Sequence, residues 1–473
     1  MSLILSILSV ILVPSASKNI AIVGGGLTGL TAAWRLHQAG HRATMFEKAP
    51  QVGGAITSHA RDGWLVEGGP NSLQETPAVA TLISDLGLSE QRALVSPAAK
   101  QRFIVRGGRP LPVPLTPGDL LTSPLFSVGA RLRVLTELLT RPRVRTTDVN
   151  LAAFVASHFG REIVDYGLNP FVGGIYAGDP EKLSARYAFP SLWQLERSHG
   201  SLLRGFRAQA AERRARGEAS GVVPIISFKQ GLQTLPLALA AALPAGTVQT
   251  DATVTSLIPG QPWKLILTRA DSVQTAEFDA VVLALPAAGL ASLVFSTFGE
   301  RSLASLDHIP QPPVSSLFLG FRREQVAHPL DGFGALVPAR EQRSLLGVLF
   351  SSSLFAGRAP DGHVALTVFA GGMRQPETGR LDTAALLARV LPDLRDLLGV
   401  TGNPVFTHHT FWPKAIPQYN LGHERFLEPL ARIEATHPGL FIGSNVRDGI
   451  SLPDCLKSGT EAARKTGEFV SKL

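Results

Sequence analysis

Cysteine is almost absent from this chain of 473 residues, where Cys455 stands alone. That excludes an internal disulfide, an all-cysteine iron–sulfur cluster and a cysteine-rich zinc site, and it suits a reducing, cytoplasmic setting. Charge is sparse at 17% of residues, below the usual quarter. Aromatic residues are 7%, mostly phenylalanine, with 4 tyrosines and 5 tryptophans. No basic patch with interleaved stacking aromatics is present, which removes nucleic acid from the anionic partners that a net charge of +8 invites. A membrane surface or an acidic small molecule remains. The twelve histidines show no H-E-x-x-H or comparable spacing. His408 and His409 are adjacent and point to opposite faces of a strand, so no metal ligand is assigned. A bilayer span needs about 20 apolar residues, and the apolar run at the start, residues 3–13 (LILSILSVILV), is too short. An N-terminal extension over 1–17 is therefore read in three ways: a dispensable start, a surface-inserting anchor or an export signal.

What is present begins at residue 19. NIAIVGGG (19–26) is a short apolar run closed by glycines, and Gly24, Gly26 and Gly29 have G-x-G-x-x-G spacing. LTAAWRLHQAG (30–40) has helical apolar periodicity, and Gly40 suits its C-terminal cap. A second strand over 41–49 carries Glu47, eighteen residues after Gly29, with Lys48 beside it. The glycines permit a tight turn and close approach of a pyrophosphate. The helix start offers free N–H groups and partial positive charge, and the acid can accept ribose hydroxyls. Strand, turn, helix and distant acid together are the context that makes this motif informative. Up to this point NAD and FAD are equally served.

The next stretch separates them. QVGGAITSHARDGWLVEGGPNSL (51–73) places Gly53 and Gly54 just past the acidic strand, and Gly68, Gly69 and Pro70 at a further turn. This run resembles the FAD fingerprint shared by flavin amine oxidases, carotenoid desaturases and protoporphyrinogen oxidases. PGLFIGSNVRDGISLPDCLKSGTEAA (438–463) resembles the segment that carries the flavin end of FAD in that group. The resemblance implies that Ile450, Ser451 and Leu452 bring backbone groups to the ring and ribityl region, with Asn445 nearby. The helix start there would stabilise negative charge on reduced flavin. It also implies that Asn71 and Ser72 touch FAD, and that Val254, in the strand 251–258, offers its backbone to adenine. Cys455, in LPDCLK, matches the members that hold FAD non-covalently.

Three further stretches narrow the family. NPFVGGIYAGDPEKLSARYAFP (169–190), KQRFIVRGGRPLPVP (100–114) and TFWPKAIPQYNLGH (410–423) resemble those of oxygen-dependent protoporphyrinogen oxidases and their coproporphyrinogen III-oxidising sisters. The resemblance extends from about residue 19 to 470. It implies oxidation of a porphyrinogen, with hydride passing to the flavin and dioxygen reduced to hydrogen peroxide. Arg102 is assigned to the substrate, because a guanidinium pairs with a propionate and stays charged at any relevant pH. Gly174 is assigned either to close approach to the substrate ring or to a tight turn. No side chain stands out as a general base, so no catalytic residue is named. Lys414 is left between holding water near the flavin, as a lysine does in some amine oxidases, and a solvent or propionate role. Protoporphyrinogen and coproporphyrinogen are barely separated by these motifs, and oligomeric state is not encoded in them.

The fold expected is α/β. A Rossmann-like FAD-binding domain comes in discontinuous segments (18–101, 226–300 and 433–473). A substrate-binding domain with a mixed sheet takes 211–225 and 301–432. A mainly helical, membrane-associated insert takes 102–210. Within the insert, residues 120–145 carry leucines, valine and phenylalanine together with Arg131, Arg133, Arg141, Arg143 and Arg145 against one acid, Glu137. An apolar face with arginine flanks suits peripheral binding in the plane of an anionic leaflet. A second cluster, Arg204, Arg207, Arg213, Arg214 and Arg216, suits lipid head groups or a solvated helix face.

Overall fold

The computed structural model describes residues 18–99, 101–139, 145–217, 223–270, 272–295 and 301–473. The extension over 1–17, together with Arg141 and Arg143, lies outside them. At the centre is a five-stranded parallel sheet in the order Val248–Gln249, Arg42–Phe46, Asn19–Val23, Ala280–Leu283, Leu440–Ile442. Its strands come from both ends and the middle of the chain. They are nearly continuous in apolar residues because both faces are covered. The period of two divides each strand between two cores. Ile20, Ile22, Met45 and Val282 face helices, while Ala21, Val23, Phe46 and Val281 face an antiparallel meander. The helical cover is Leu27–Gln38, Thr234–Ala241 and Leu452–Val470. The meander is Ala252–Ile258, Trp263–Arg269 and Ser272–Phe278.

The first and last of these helices meet through a glycine. A Cβ on Gly459 would stand 2.3 Å from the Thr28 carbonyl oxygen, so only glycine lets the C-terminal helix close on the fingerprint helix. Gly40, at φ +84°, ends the fingerprint helix in the left-handed region, where a side chain would be strained.

A second, seven-stranded mixed sheet runs Phe406–Trp412, Val314–Arg322, His363–Gly371, Gly347–Leu349, Gly332–Leu336, Gln101–Arg106, Arg109–Pro112. All neighbours are antiparallel except Gly332–Leu336 and Gln101–Arg106. Helix Thr383–Leu398 packs its Leu386, Val390, Leu394 and Leu397 on one face. Residues 102–112, expected within the insert, are thus the edge of this sheet, because Gln101–Arg106 pairs with the distant strand Gly332–Leu336 as well as with its hairpin partner. Helix Leu202–Ala215 runs through the expected boundary at 210.

The insert is helical with its own core of Leu151, Phe154, Val155, Trp193, Leu195 and Leu202. Residues 120–139 are broken into Pro117–Thr122, Val128–Thr136 and a short turn Glu137–Leu139. Glu137, counted from the sequence as an acid on the apolar arginine face, is fully buried. It accepts from the Ser201 hydroxyl and the Leu202 and Leu203 amides, and it faces His158 Nδ1 at 2.8 Å; His158 Nε2 is 2.7 Å from Glu196. Two of the expected lipid-facing arginines are also structural. Arg145 bonds the Ser157 hydroxyl, and Arg204 holds the Leu138 carbonyl. Among the described residues, no helix is long and apolar enough to cross a membrane.

Candidate active site

The glycine turn and the acid are joined directly. The Gly25 amide donates to Glu47 Oε2 at 2.6 Å and the Ala49 amide to Oε1 at 2.8 Å, which leaves each oxygen a further lone pair. Gly25 was not singled out from the sequence, although it stands inside the glycine run. Gly24 (φ +107°) and Gly29 are required by packing. Their Cβ atoms would lie 2.3 Å from the Ala284 carbonyl oxygen and 2.0 Å from the Gly24 carbonyl oxygen. Gly26 differs, because a Cβ there would meet nothing within 4 Å. It precedes a helix with no side-chain cap and no acid in its first turn. An open approach to uncapped N–H groups is what a pyrophosphate needs.

The second glycine pair lies on the first. The Gly53 amide donates to the Gly25 carbonyl at 2.9 Å, and the Cβ position of Gly54 is 3.5 Å from Gly26 Cα. Lys48 follows Glu47 out of the sheet. The Ala252 amide donates to the Glu47 carbonyl, which sets Val254 two residues along the neighbouring strand, buried beside a bulge. The turn holding Gly69, Pro70, Asn71 and Ser72 is close-packed. A Cβ on Gly69 would be 2.0 Å from the Ala55 carbonyl oxygen, and Asn71 donates to the Gly69 carbonyl. Trp412, at the end of the mixed sheet, donates its indole N–H to the Gly68 carbonyl at 2.9 Å.

At the other end, Gly449 turns at φ +99°, and Ser451 caps the C-terminal helix in a capping box with Asp454. The Ser451 amide and hydroxyl both donate to Asp454 Oδ2. The expectation of a simple positive helix end is therefore corrected. An acid occupies its first turn, and Ile450 and Leu452 remain to offer backbone. Asn445 Oδ1 is buried with no partner among the described residues. A buried unpaired acceptor is costly unless a ligand satisfies it, so these residues fit a dinucleotide with a polar ring system at that end. Cys455 packs against the helical core, and burial pushes its thiol up.

On the mixed sheet, Arg102 is exposed, with its guanidinium 5.5 Å from the centre of the Phe333 ring. It makes no ion pair with any described residue. Arg106 on the same strand instead pairs with Glu162 at 2.6 Å. Gly174 lies in helix Asn169–Tyr176, not in a turn. A Cβ there would stand 2.3 Å from Leu336 Cδ2, so glycine brings that helix against the strand Gly332–Leu336. Lys414 pairs with Asp307 at 2.7 Å on the surface. His408 stacks on His59 while His409 bonds Ser315. Among the described residues, no group of three or more His, Cys, Asp or Glu could hold a metal.

The parallel sheet with its glycine turn, the recruited C-terminal strand and helix, and the mixed sheet bearing a free arginine are those of a flavoprotein oxidoreductase. The chain belongs to the flavin-containing amine oxidoreductase family, whose pattern matches residues 27–466. Protoporphyrinogen oxidase 2, chloroplastic/mitochondrial, of Arabidopsis thaliana is 34% identical over 95% of this chain and 93% of its own. Coproporphyrinogen III oxidase of Bacillus subtilis (strain 168) is 27% identical over 94% of this chain and 97% of its own. A crystal structure from Exiguobacterium sp. 255-15, provisionally designated a protoporphyrinogen oxidase, superimposes with a TM-score of 0.80 at 24% identity. It covers 96% of this chain and 99% of its own, and it shows the shared fold.

Proposed function

We propose that this chain is a protoporphyrinogen oxidase that holds FAD non-covalently and converts protoporphyrinogen IX to protoporphyrin IX with dioxygen, releasing hydrogen peroxide in tetrapyrrole biosynthesis. The observation that carries the reading is the presence in one chain of a dinucleotide cradle and, on the mixed sheet, of Arg102, which makes no ion pair among the described residues. Relatives named protoporphyrinogen oxidase match along nearly the whole chain. A second reading, oxidation of coproporphyrinogen III, is favoured by relatives of that name at lower or similar identity.

In this reading the parallel sheet serves the cofactor and the mixed sheet serves the substrate. FAD, when bound, supplies the two-electron redox chemistry between porphyrinogen and dioxygen. Gly26 and the start of helix Leu27–Gln38 would receive the pyrophosphate, Glu47 the ribose hydroxyls, and Asn445, Ile450 and Leu452 the ring end. Arg102 pairs with a propionate and orients the macrocycle, with Phe333 supporting its guanidinium. Gly174 lets its helix close over Leu336. Cys455 is buried against the helical core, which supports a flavin without a tether.

The reading also includes peripheral attachment to the cytoplasmic face of a membrane. Leu115, Leu121, Val128, Leu132, Leu135 and Leu139 are exposed, the last at 85%, alongside exposed Arg133. Such a cluster suits shallow insertion beside anionic lipid. Anaerobic mixing tests the enzymatic reading: protoporphyrinogen IX bleaches the flavin absorbance of the purified protein, and an unchanged spectrum contradicts it.

A further inference from the structure

The segment 443–451, which presents Asn445 and Ile450 at the ring end of the proposed flavin site, has no regular secondary structure and is held from two sides. On one side Asp448 Oδ2 accepts from the Ser444 amide at 3.1 Å and from the Ser458 hydroxyl at 2.6 Å, tying the segment to the C-terminal helix. On the other side stands Tyr419, 8% exposed. Its hydroxyl donates to the Asn445 carbonyl at 2.5 Å and accepts from the Gly449 amide at 3.2 Å. One oxygen thus clamps two backbone positions four residues apart. Gly449 turns in the left-handed region, and a Cβ there would stand 2.4 Å from Asp454 Oδ2. The Tyr419 ring lies on His423 with centroids 4.3 Å apart, and His423 Nε2 is 2.7 Å from the Val446 carbonyl oxygen. Burial pushes the Tyr419 phenol well above its ordinary value, so it stays a donor at every working pH.

Tyr419 also comes from the other half of the molecule. It lies between the mixed-sheet strand Phe406–Trp412 and helix Glu424–Thr436, and its carbonyl accepts from the Ser184 amide of the insert at 2.8 Å. It therefore ties the insert to the segment 443–451 through one residue.

We propose that Tyr419 is a positioning residue, whose hydroxyl sets the shape of 443–451 and so the alignment of the flavin ring with the substrate bound on the mixed sheet. This rests on the flavin placement given above. Loss of the hydroxyl strands one carbonyl and one amide, while the ring and its packing on His423 remain.

The test compares wild-type holoprotein with Tyr419→Phe. In the flavin-loaded fraction kcat falls about tenfold while KM for protoporphyrinogen IX holds within about twofold. The flavin midpoint potential becomes more negative, because the amides beside the ring no longer favour its reduced, negative form. The Gly449 amide exchanges faster with deuterium, in the apoprotein as well. Unchanged kcat, potential and exchange, with an active wild type, overturn this inference and leave the enzymatic reading standing. A wild type without flavin or porphyrinogen turnover overturns both. Should Tyr419→Phe fail to fold, 3-fluorotyrosine at position 419 keeps ring and hydroxyl while its fluorine makes the phenol more acidic and a stronger donor to the Asn445 carbonyl. A shifted potential then supports the role, and an unshifted one overturns it.

Discussion

Arg358 Nη2 lies 3.1 Å from Glu67 Oε1, with both side chains only 3% exposed. Glu67 ends the strand that leads into Gly68 and Gly69, and it also accepts from the Leu232 amide and the Ser58 hydroxyl. Arg358 follows the mixed sheet's short helix Ser351–Leu354 and bonds the Ser227 hydroxyl at 2.6 Å. The pair joins the turn assigned to the cofactor, the strand Ile225–Phe228 and the mixed sheet at one buried point. Desolvation pushes the Glu67 carboxyl up and the Arg358 guanidinium down, and each partner offsets part of the other's shift.

Breaking this pair from one side leaves a buried charge. Arg358→Met is expected to cost about 3–5 kcal/mol near neutral pH. The sign of its pH dependence follows from the raised Glu67 pKa. The folded state holds that proton more tightly than the unfolded state, so stability falls as pH rises from about 4.5 towards the folded value. Without Arg358 the folded value rises further, so the variant lies closer to wild type at pH 5 than at pH 8. Urea unfolding at the two pH values checks this; an equal deficit at both contradicts it.

Two glycines of one motif should behave differently. Gly29→Ala drives a Cβ into the Gly24 carbonyl oxygen and is expected to lower both apoprotein stability and flavin content. Gly26→Ala meets nothing in the protein. It should leave apoprotein melting unchanged and weaken FAD binding about tenfold or more, since its methyl occupies the pyrophosphate's approach. Thermal melts of apoprotein and FAD titration separate the two.

Much of the cofactor half was legible because its signals are local. The run 19–47 alternates strand, glycine turn and helix in the order that the sheet then uses. The mixed sheet was less legible. Gln101–Arg106 pairs in parallel with Gly332–Leu336, more than 200 residues away, and no short-range pattern encodes that partner. Glu137 misled for a related reason. Its neighbours are apolar and arginine-rich, and only the arrival of His158 and Ser201 from elsewhere turns a surface acid into a buried one. Gly174 was expected in a turn or at the substrate; it lies in helix Asn169–Tyr176 against Leu336, which corrects the turn reading. Tyr419 stood in a segment singled out from the sequence, and its role depends on meeting residues 445–449.

Arg102 has no ion partner among the described residues, so its removal should be felt by substrate. Arg102→Ala is expected to raise KM for the porphyrinogen about 10- to 100-fold, the value of one charge-assisted hydrogen bond of about 1.5–3 kcal/mol. Flavin content should be unchanged. Equal losses of flavin and of substrate affinity would assign Arg102 to structure instead.

Membrane attachment has its own test. Leu132→Glu with Leu139→Glu places charge on the exposed apolar face without touching the insert's core. The doubly substituted protein should no longer float with vesicles of anionic phospholipid, while it retains flavin and turnover in detergent. Undiminished flotation would move the contact to another surface.

The most direct measurement is aerobic turnover of the purified flavoprotein on protoporphyrinogen IX and coproporphyrinogen III side by side, following porphyrin fluorescence, oxygen uptake and peroxide together. The account predicts three dioxygen consumed and three peroxide formed per porphyrin, with kcat/KM higher for protoporphyrinogen IX. Porphyrin formation no faster than autoxidation with both substrates would contradict it.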